Sequence, residues 1–255
     1  MKIIGIVPAR YQSARLPGKP IVDICGKPMI WWVYQEALKV GAFAEVLVAT
    51  DDERVRRVCD ELGMKVLMTS RDGACLIDRL YEVSGLIEAD YYVSINGDEP
   101  LIEGEIIPRV FPEEIVKDRP VIRGLMRRFT DPVEVIDPGN MKLVCNEQGK
   151  LIYMSRSPIP YPHKTTDFFY KKYVGVECYN RKALEFYHDM APGPIERIED
   201  LGTLRFLENG ADVFYTLVES SSLSVDTARD LESVRKKMQR KLETKYENLE
   251  RRNDG

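Results

Sequence analysis

Short apolar runs rich in β-branched residues alternate with longer stretches of helical periodicity through the first half of the chain. Units of strand, helix and strand join parallel strands through right-handed crossovers, so this alternation strongly constrains the fold. It predicts an α/β fold with a predominantly parallel central sheet and helices on both faces. The predicted strands cover 3–7, 45–50, 65–68 and 91–95, and the predicted helices cover 28–40, 52–63 and about 78–87.

Proline residues interrupt the stretch from 111 to 173 and separate short extended runs there. Because proline cannot donate to a sheet ladder, we predict short antiparallel strands that form a small subsidiary lobe. The chain is then a single domain over 1–255 with a lobe at roughly 111–173. Beyond the lobe the alternation resumes, with strands at 173–179 and 212–218, a helix from Arg181 and another near 195–208.

The last segment, roughly 228–252, is highly charged and carries apolar residues at helical spacing. This pattern predicts a surface helix that docks through one apolar stripe. A helix that contacts a second copy of the chain is the alternative. The stripe consists of Leu231, Val234, Met238 and Leu242.

The charge balance limits the kinds of partner. A net charge of -4 and a pI near 5.5 provide no general basic field, so we expect neither a nucleic acid nor a membrane partner. No run approaches 18 apolar residues, and the opening MKIIGIV is too short for a signal peptide, so we expect a cytoplasmic protein. The five cysteines lack the spacing of a zinc site.

A basic loop, VPARYQSARLPGKP at 7–20, follows the first predicted strand. Arg10, Arg15 and Lys19 supply cations, while Ser13 and Gly18 allow a polyanion to approach the backbone. A nucleoside triphosphate is the expected ligand. The loop matches neither the Walker pattern nor the dinucleotide-binding pattern. A solvated basic loop is the alternative, and it would leave three neighbouring cations without compensation.

Two further segments place a carboxylate at the end of an extended run. Asp98 follows a predicted strand in SINGDEPL at 94–101, and Asp226 precedes the last predicted helix in LSVDTARDL at 223–231. Such carboxylates can hold Mg²⁺ together with substrate phosphates. The alternatives are a strand-ending turn at Asp98 and a helix cap at Asp226.

Together the three segments resemble, in order and spacing, the 3-deoxy-manno-octulosonate cytidylyltransferases. The resemblance implies a nucleotide-diphospho-sugar transferase-like fold, a dimerisation lobe and a homodimer. It also implies Mg²⁺-dependent transfer of the cytidylyl group of CTP to a small acidic acceptor, with release of pyrophosphate. Besides the basic loop, the resemblance rests on GKPMI from Gly26, VATDDE at 48–53, GDEP at 97–100, YMSRSPIP at 153–160, PGPIERIEDLGTLRFLENG at 192–210 and VDTARDLESVR at 225–235.

The resemblance also assigns roles to individual residues. Arg10, Ser13, Arg15 and Lys19 are expected to bind the CTP phosphates, and Asp98 and Asp226 are expected to hold Mg²⁺. The candidate catalytic residues are Lys19, Asp98 and Arg10. The candidate residues for nucleotide or substrate binding are Pro8, Ala9, Arg10, Ser13, Arg15, Lys19, Arg79, Asn96, Gly97, Asp98, Tyr179 and Glu196.

The sequence departs from the family pattern in four places. GACLIDR at 73–79 stands where the family usually has HxSGTER, and Asn96 stands where the family has Gln. YVGVECY at 173–179 replaces HxGIYGY, and Gly202–Thr203 replaces Glu-Gln. A polar group lost from a site for a polyhydroxylated acid leaves substrate groups unpaired at about 1–3 kcal/mol each, so these changes argue for a different acceptor.

The cations Lys172 and Arg156 nevertheless indicate an anionic acceptor. The candidates are 3-deoxy-manno-octulosonate, a related acid sugar or its amino derivative, and a small phosphonate or phosphate. A catalytically silent nucleotide-binding regulatory protein is the alternative from another class. Retention of both Asp98 and Asp226 argues against it, since a binder needs no pair of metal carboxylates.

Overall fold

The computed structural model describes residues 1–13, 15–70 and 75–253 of the chain. The strands are β1 Ile3–Ala9, β2 Asp23–Ile24, β3 Lys27–Pro28, β4 Glu45–Thr50, β5 Val66–Met68, β6 Tyr91–Ile95, β7 Ile122–Arg128, β8 Lys142–Cys145, β9 Leu151–Ser155, β10 Lys171–Asn180 and β11 Val213–Leu217. The α-helices are α1 Met29–Leu38, α2 Glu53–Glu61, α3 Leu76–Leu86, α4 Pro132–Ile136, α5 Arg181–Asp189, α6 Pro194–Glu199, α7 Thr203–Glu208 and α8 Ala228–Asn253. Lys19–Ile21 and Gly104–Val110 form 3-10 helices.

The central sheet has the strand order β11-β7-β10-β6-β1-β4-β5. β1 pairs in parallel with β4 and β6, β4 pairs in parallel with β5, and β11 pairs in parallel with β7. β10 alone along this order runs against its neighbours β6 and β7. The prediction of a predominantly parallel sheet is therefore confirmed, and β10 is the reversed strand.

Alternate residues of β1 lie in separate apolar cores on the two faces of the sheet. Val7 packs in a core with Ile30 of α1, whereas Ile6 packs in another with Leu80 of α3 and Leu184 of α5. Successive strand residues point to opposite faces, so burial on both sides requires the near-continuous apolar runs seen in the sequence. The predicted helices on both faces are thus present.

The range predicted for the lobe, 111–173, contains strands that belong to the main order of the sheet and strands that do not. β8 pairs with β9 and with Lys171 and Lys172 at the start of β10, and both strands lie off the main order of the sheet. β7 falls inside the predicted range but is an inner strand of the central sheet. Its sequence IRGLMRR contains three arginines, which is untypical of a buried strand, yet Arg127 is buried and paired with Glu134 at 2.9 Å.

The helix predicted near 195–208 is interrupted between α6 and α7. Asp200 lies in the left-handed region with a φ of 53°, which ends α6, and α7 begins at Thr203. Aspartate tolerates this conformation better than most residues because its short side chain can bond locally. The interruption places Asp200 and Thr203 beside the site described below.

The apolar stripe of α8 docks on the body of the protein. Leu231, Val234 and Met238 pack in a third core with Ile24 and Met29. This docking fixes the start of α8, and therefore Asp226, next to the carboxyl end of the sheet. None of the helices in the described ranges combines the length and the apolar character that a membrane span requires.

Candidate functional site

The basic loop begins where β1 ends and folds back on itself before the 3-10 helix at Lys19–Ile21. Gly18 adopts a φ of 70°, and its N–H donates to the Tyr11 carbonyl at 3.0 Å. A Cβ atom at this position would lie 3.3 Å from the Tyr11 ring, and other residues rarely adopt such a φ. Glycine therefore allows the turn that aims the next side chain, Lys19, back at the sheet.

Lys19 lies between the two carboxylates that the sequence singled out. Its Nζ donates to Asp98 Oδ2 at 2.7 Å and to Asp226 Oδ1 at 3.1 Å. Burial lowers the pKa of Lys19, but the two carboxylates together raise it further, so the side chain stays charged. The Val225 N–H donates to the Asp98 carbonyl at 2.8 Å and joins the two carboxylate segments.

The ends of β1 and β6 approach closely at this point. A Cβ atom on Gly97 would lie 2.9 Å from the Pro8 carbonyl oxygen, so only glycine allows the close approach. The approach places Asp98 beside the basic loop. The carboxyl ends of neighbouring parallel strands are where α/β sheets bind ligands.

A cavity of about 460 Å³, here called the phosphate-loop cavity, opens over this cluster. Arg15 lies at its edge, half-exposed, with Nη2 at 3.1 Å from Asp226 Oδ1. Arg79 of α3 is 2 % exposed and donates to Thr69, with Asp51 at 3.4 Å, and burial lowers its pKa. The predicted residues that line this cavity are Pro8, Ala9, Arg10, Ser13, Arg15, Lys19, Arg79, Asn96, Gly97, Asp98 and Asp226.

A second cavity of about 280 Å³, here called the adjoining cavity, lies next to the first. Arg15, Asn96, Asp98 and Asp226 line both cavities. β8 pairs with the start of β10 and β6 pairs with its end, and the adjoining cavity is lined by residues that follow β6 and by Met141 beside β8 and Met154 within β9. Its other lining residues include Arg156, Lys172, Tyr173, Glu177 and Thr203.

Cationic side chains line one part of the adjoining cavity. Lys172 is 5 % exposed, its Nζ lies 3.6 Å from Glu134, and burial lowers its pKa. The Arg156 guanidinium donates to the backbone carbonyls of Glu199 at 2.6 Å and Asp200 at 3.1 Å. Arg156 also lies 3.8 Å from the exposed Asp200 carboxylate, which water screens, so the positive charges of both side chains favour an anion in the cavity.

Two predicted binding residues do not reach the site. Tyr179 is fully buried in the core that packs under α5, and its hydroxyl donates to Glu177 at 2.6 Å. Glu196 is buried in an ion pair with Arg205. Neither residue lines either cavity, so the structure places both side chains in the interior and away from the two cavities. The predicted positions 73 and 74 of the GACLIDR segment lie outside the described residues.

Other residues line the cavities without having been predicted. Leu76 and Asp200 border both cavities, and Asn140 and Ser224 border the adjoining cavity. Leu76 carries no polar group that could have drawn attention to it. Asp200 lies within the resembling segment at 192–210, but only the break between α6 and α7 shows that its position faces the site.

Comparisons with known proteins cover nearly the whole chain. A family model described as Cytidylyltransferase matches residues 4–238. The 3-deoxy-manno-octulosonate cytidylyltransferase of Escherichia coli is 38% identical over 242 residues, 94% of this chain and 98% of that protein. The enzyme of that name from Solibacter usitatus is 41% identical over 236 residues, 91% of this chain and 93% of that protein.

Solved structures agree with these relatives. The structure of a CMP:2-keto-3-deoxy-manno-octonic acid synthetase complexed with CTP superposes with a TM-score of 0.85 at 38% identity, and covers 94% of this chain and 100% of that one. The inositol-1-phosphate CTP transferase from T. maritima shares the fold, with a TM-score of 0.67 at 16% identity. The chain therefore belongs to the 3-deoxy-manno-octulosonate cytidylyltransferase family of nucleotidyltransferases.

Proposed function

We propose that the protein transfers the cytidylyl group of CTP to 3-deoxy-manno-octulosonate or a closely related acid sugar. The observation that carries the proposal is the contact of Lys19 Nζ with both Asp98 and Asp226, at the boundary that the phosphate-loop and adjoining cavities share. A nucleotide in one cavity and an acid in the other would meet at this boundary. The names and CTP complex of the relatives support the same reaction.

The reaction needs no protein nucleophile. An acceptor hydroxyl oxygen bonds to the α-phosphorus of CTP and releases its proton to solvent, while the bond from that phosphorus to the oxygen bridging it to the β-phosphate breaks and pyrophosphate leaves. Transfers of this kind depend on positioning and on neutralising phosphate charge. Arg10, Ser13, Arg15 and Lys19 line the cavity that would take the triphosphate. The two arginines could make bidentate contacts with its oxygens, Lys19 would supply a compact charge and Ser13 a single hydroxyl donor.

The two shared carboxylates suit Mg²⁺. Asp98 and Asp226 approach the same Lys19 Nζ atom, so their oxygens lie close together. Within the described ranges no group of three or more histidine, cysteine or acidic side chains could hold a metal by itself. Two carboxylates completed by substrate phosphates are the usual protein site for Mg²⁺, which would neutralise phosphate charge when bound.

A second candidate acceptor is a small phosphonate or phosphate, because Lys172 lines the adjoining cavity and the sequence departs from the family pattern there. The family assignment argues against the silent regulatory alternative. A homodimer formed through the lobe and a cytoplasmic location remain predictions.

We expect the purified protein to release pyrophosphate from CTP in the presence of Mg²⁺ and one acid acceptor. The measurement is pyrophosphate release with each of the four nucleoside triphosphates against 3-deoxy-manno-octulosonate, its 8-amino form, other nonulosonates and small phosphonates. EDTA should stop the reaction, and added Mg²⁺ should restore it. Release with a phosphonate alone would select the second candidate, and no release with any acid would contradict the proposal.

Lys19→Ala is expected to raise the KM for CTP by about 10- to 100-fold, since hydrogen bonds to charged groups contribute about 1.5–3 kcal/mol. Lys27→Ala is the matched control, because Lys27 occupies a second Gly-Lys-Pro sequence but lies over the Trp31 ring and lines neither cavity. Steady-state kinetics at saturating acceptor provide the comparison. Equal KM values for CTP in the two variants would show that Lys19 does not bind the CTP phosphates.

A further inference from the structure

Four hydroxyl groups converge on the buried carboxyl group of Glu177 in β10. Tyr179 and Tyr173 donate to Oε2 at 2.6 Å and 3.2 Å, and Thr203 lies 3.4 Å from Oε1, to which Tyr215 also donates. Glu177 is 4 % exposed. We call these five residues the Glu177 cluster. Its members come from β10, α7 and β11, so the tertiary fold builds it rather than any local motif.

Burial raises the pKa of Glu177, and hydrogen bonds from the four surrounding hydroxyls lower it in part because they stabilise the ionised form. A carboxylate accepts only, at about four lone-pair sites, and each hydroxyl has a single proton to donate. Four hydroxyls around one ionised carboxylate therefore match in number, and in that state each donates its proton inside the cluster. Burial raises the pKa of Tyr173, Tyr179 and Tyr215 well above the usual range, which keeps the phenols protonated as donors.

Part of the cluster faces a ligand site. Tyr173, Glu177 and Thr203 line the adjoining cavity, whereas Tyr179 and Tyr215 do not. Because Tyr173 and Thr203 have used their protons inside the cluster, their oxygens can only accept a hydrogen bond from a molecule in the cavity. This wall of the cavity thus lacks free hydroxyl donors at these two positions and should bind a donor group.

The cationic part of the same cavity has the opposite preference. Lys172 and Arg156 carry donors and no acceptors, so they favour the carboxylate of an acid. Asn96, which lines both cavities, has a buried Oδ1 with no hydrogen-bond partner among the described residues. The cavity therefore presents cationic donors to one end of an acceptor molecule and oxygen acceptors to another.

We propose that Tyr173 and Thr203, whose hydroxyls donate to Glu177, determine acceptor specificity by accepting a hydrogen bond from a hydroxyl or ammonium group of the acid, while Lys172 holds its carboxylate. The inference rests on the proposed function and adds the orientation and the chemical class of the acceptor. It also gives a role to two of the four departures from the family pattern, since Tyr173 and Glu177 lie in YVGVECY and Thr203 lies in Gly202–Thr203.

Tyr173→Phe tests the inference. It keeps the ring and removes the oxygen that accepts from the acid, so the KM for the acceptor should rise about tenfold, as for one neutral hydrogen bond, while the KM for CTP stays unchanged. Tyr215→Phe is the matched control, because it removes a hydroxyl from the same carboxylate at a residue that lines neither cavity. The control should change the acceptor KM less than about twofold.

Glu177→Gln provides a second variant. The glutamine amide donates hydrogen bonds, so at least one surrounding hydroxyl must turn its proton elsewhere, and acceptor binding should weaken without a change in the KM for CTP. Comparing kcat/KM for 3-deoxy-manno-octulosonate and its 8-amino form separates a hydroxyl from an ammonium, since Glu177→Gln should impair use of an ammonium more strongly. If Glu177→Gln fails to fold, the comparison of Tyr173→Phe with Tyr215→Phe still tests the inference.

If the wild-type protein is active and Tyr173→Phe and Tyr215→Phe have equal KM values for the acceptor, this inference is overturned. The proposed function would still hold. A rise in the KM for CTP that matches the rise for the acceptor would overturn the inference too, because a purely structural role for the cluster predicts such a result. Wild-type inactivity with every acid would overturn both the proposed function and this inference.

Discussion

Asp98→Asn is expected to reduce Mg²⁺-dependent pyrophosphate release by about a thousandfold. Metal-assisted neutralisation of a reacting phosphate contributes several kcal/mol to the transition state, and each 1.36 kcal/mol is about a factor of ten in rate. Asparagine keeps the size of the side chain but loses the charge that attracts Mg²⁺ and Lys19. Asp98 lies on the boundary between the two cavities, so its charge is in place for both substrates.

The measurement is initial-rate pyrophosphate release across a Mg²⁺ titration, with thermal unfolding recorded on the same samples. Lys19 keeps Asp226 as a charged partner at 3.1 Å when Asp98 is neutralised, so the midpoint of unfolding should change little. Asp212→Asn is the control, because it makes the same chemical change at an exposed carboxylate paired with Lys150. Turnover by Asp98→Asn at the control rate, with Mg²⁺ as the only divalent ion, would remove Asp98 from the metal site.

Local sequence patterns were sufficient to predict the strands that position the site. β4 and β6 have the predicted bounds, and β1 extends the predicted run only at its carboxyl end. Strands buried on both faces must be apolar throughout, so their composition marks them clearly. The order of a βαβ sheet then places the segments after β1 and β6 at one edge.

The positions of Tyr179 and Glu196 inside the protein could not be predicted from the sequence. A resembling segment gives the position of a residue in the chain, whereas the direction of its side chain depends on partners far away in sequence. Tyr179 points towards Phe206 of α7 and the other apolar residues of that core, and Glu196 points towards Arg205. No local pattern marks either partner.

The adjoining cavity was the part least accessible to sequence reasoning. The departures at Tyr173, Glu177 and Thr203 were visible as replacements, but their shared hydrogen-bond cluster depends on the pairing of β10 with β7 and on the break before α7. Tyr215 joins the cluster from β11, which was predicted only as a strand. A carboxylate surrounded by four hydroxyls can therefore be recognised only once the sheet is assembled.

Glu196→Ala is expected to lower the free energy of unfolding by about 3–5 kcal/mol, the usual cost of leaving one buried charge without its partner. Arg205 Nε and Nη2 donate to the two Glu196 oxygens at 2.7 Å each, and the Tyr187 hydroxyl lies 3.1 Å from Oε1. Both ion-pair residues are 8 % exposed, so water cannot replace the carboxylate easily.

Urea unfolding of Glu196→Ala and of Glu185→Ala would measure this effect directly. Glu185 pairs with Arg181 and Lys182 on the surface of α5, where such pairs contribute about 1 kcal/mol or less. A structural role for Glu196 predicts a large difference in unfolding free energy between the two variants and an unchanged KM for CTP in the folded fraction. The opposite result is a raised KM for CTP together with a stability equal to that of Glu185→Ala. It would indicate that Glu196 binds the nucleotide and would contradict the ion-pair role.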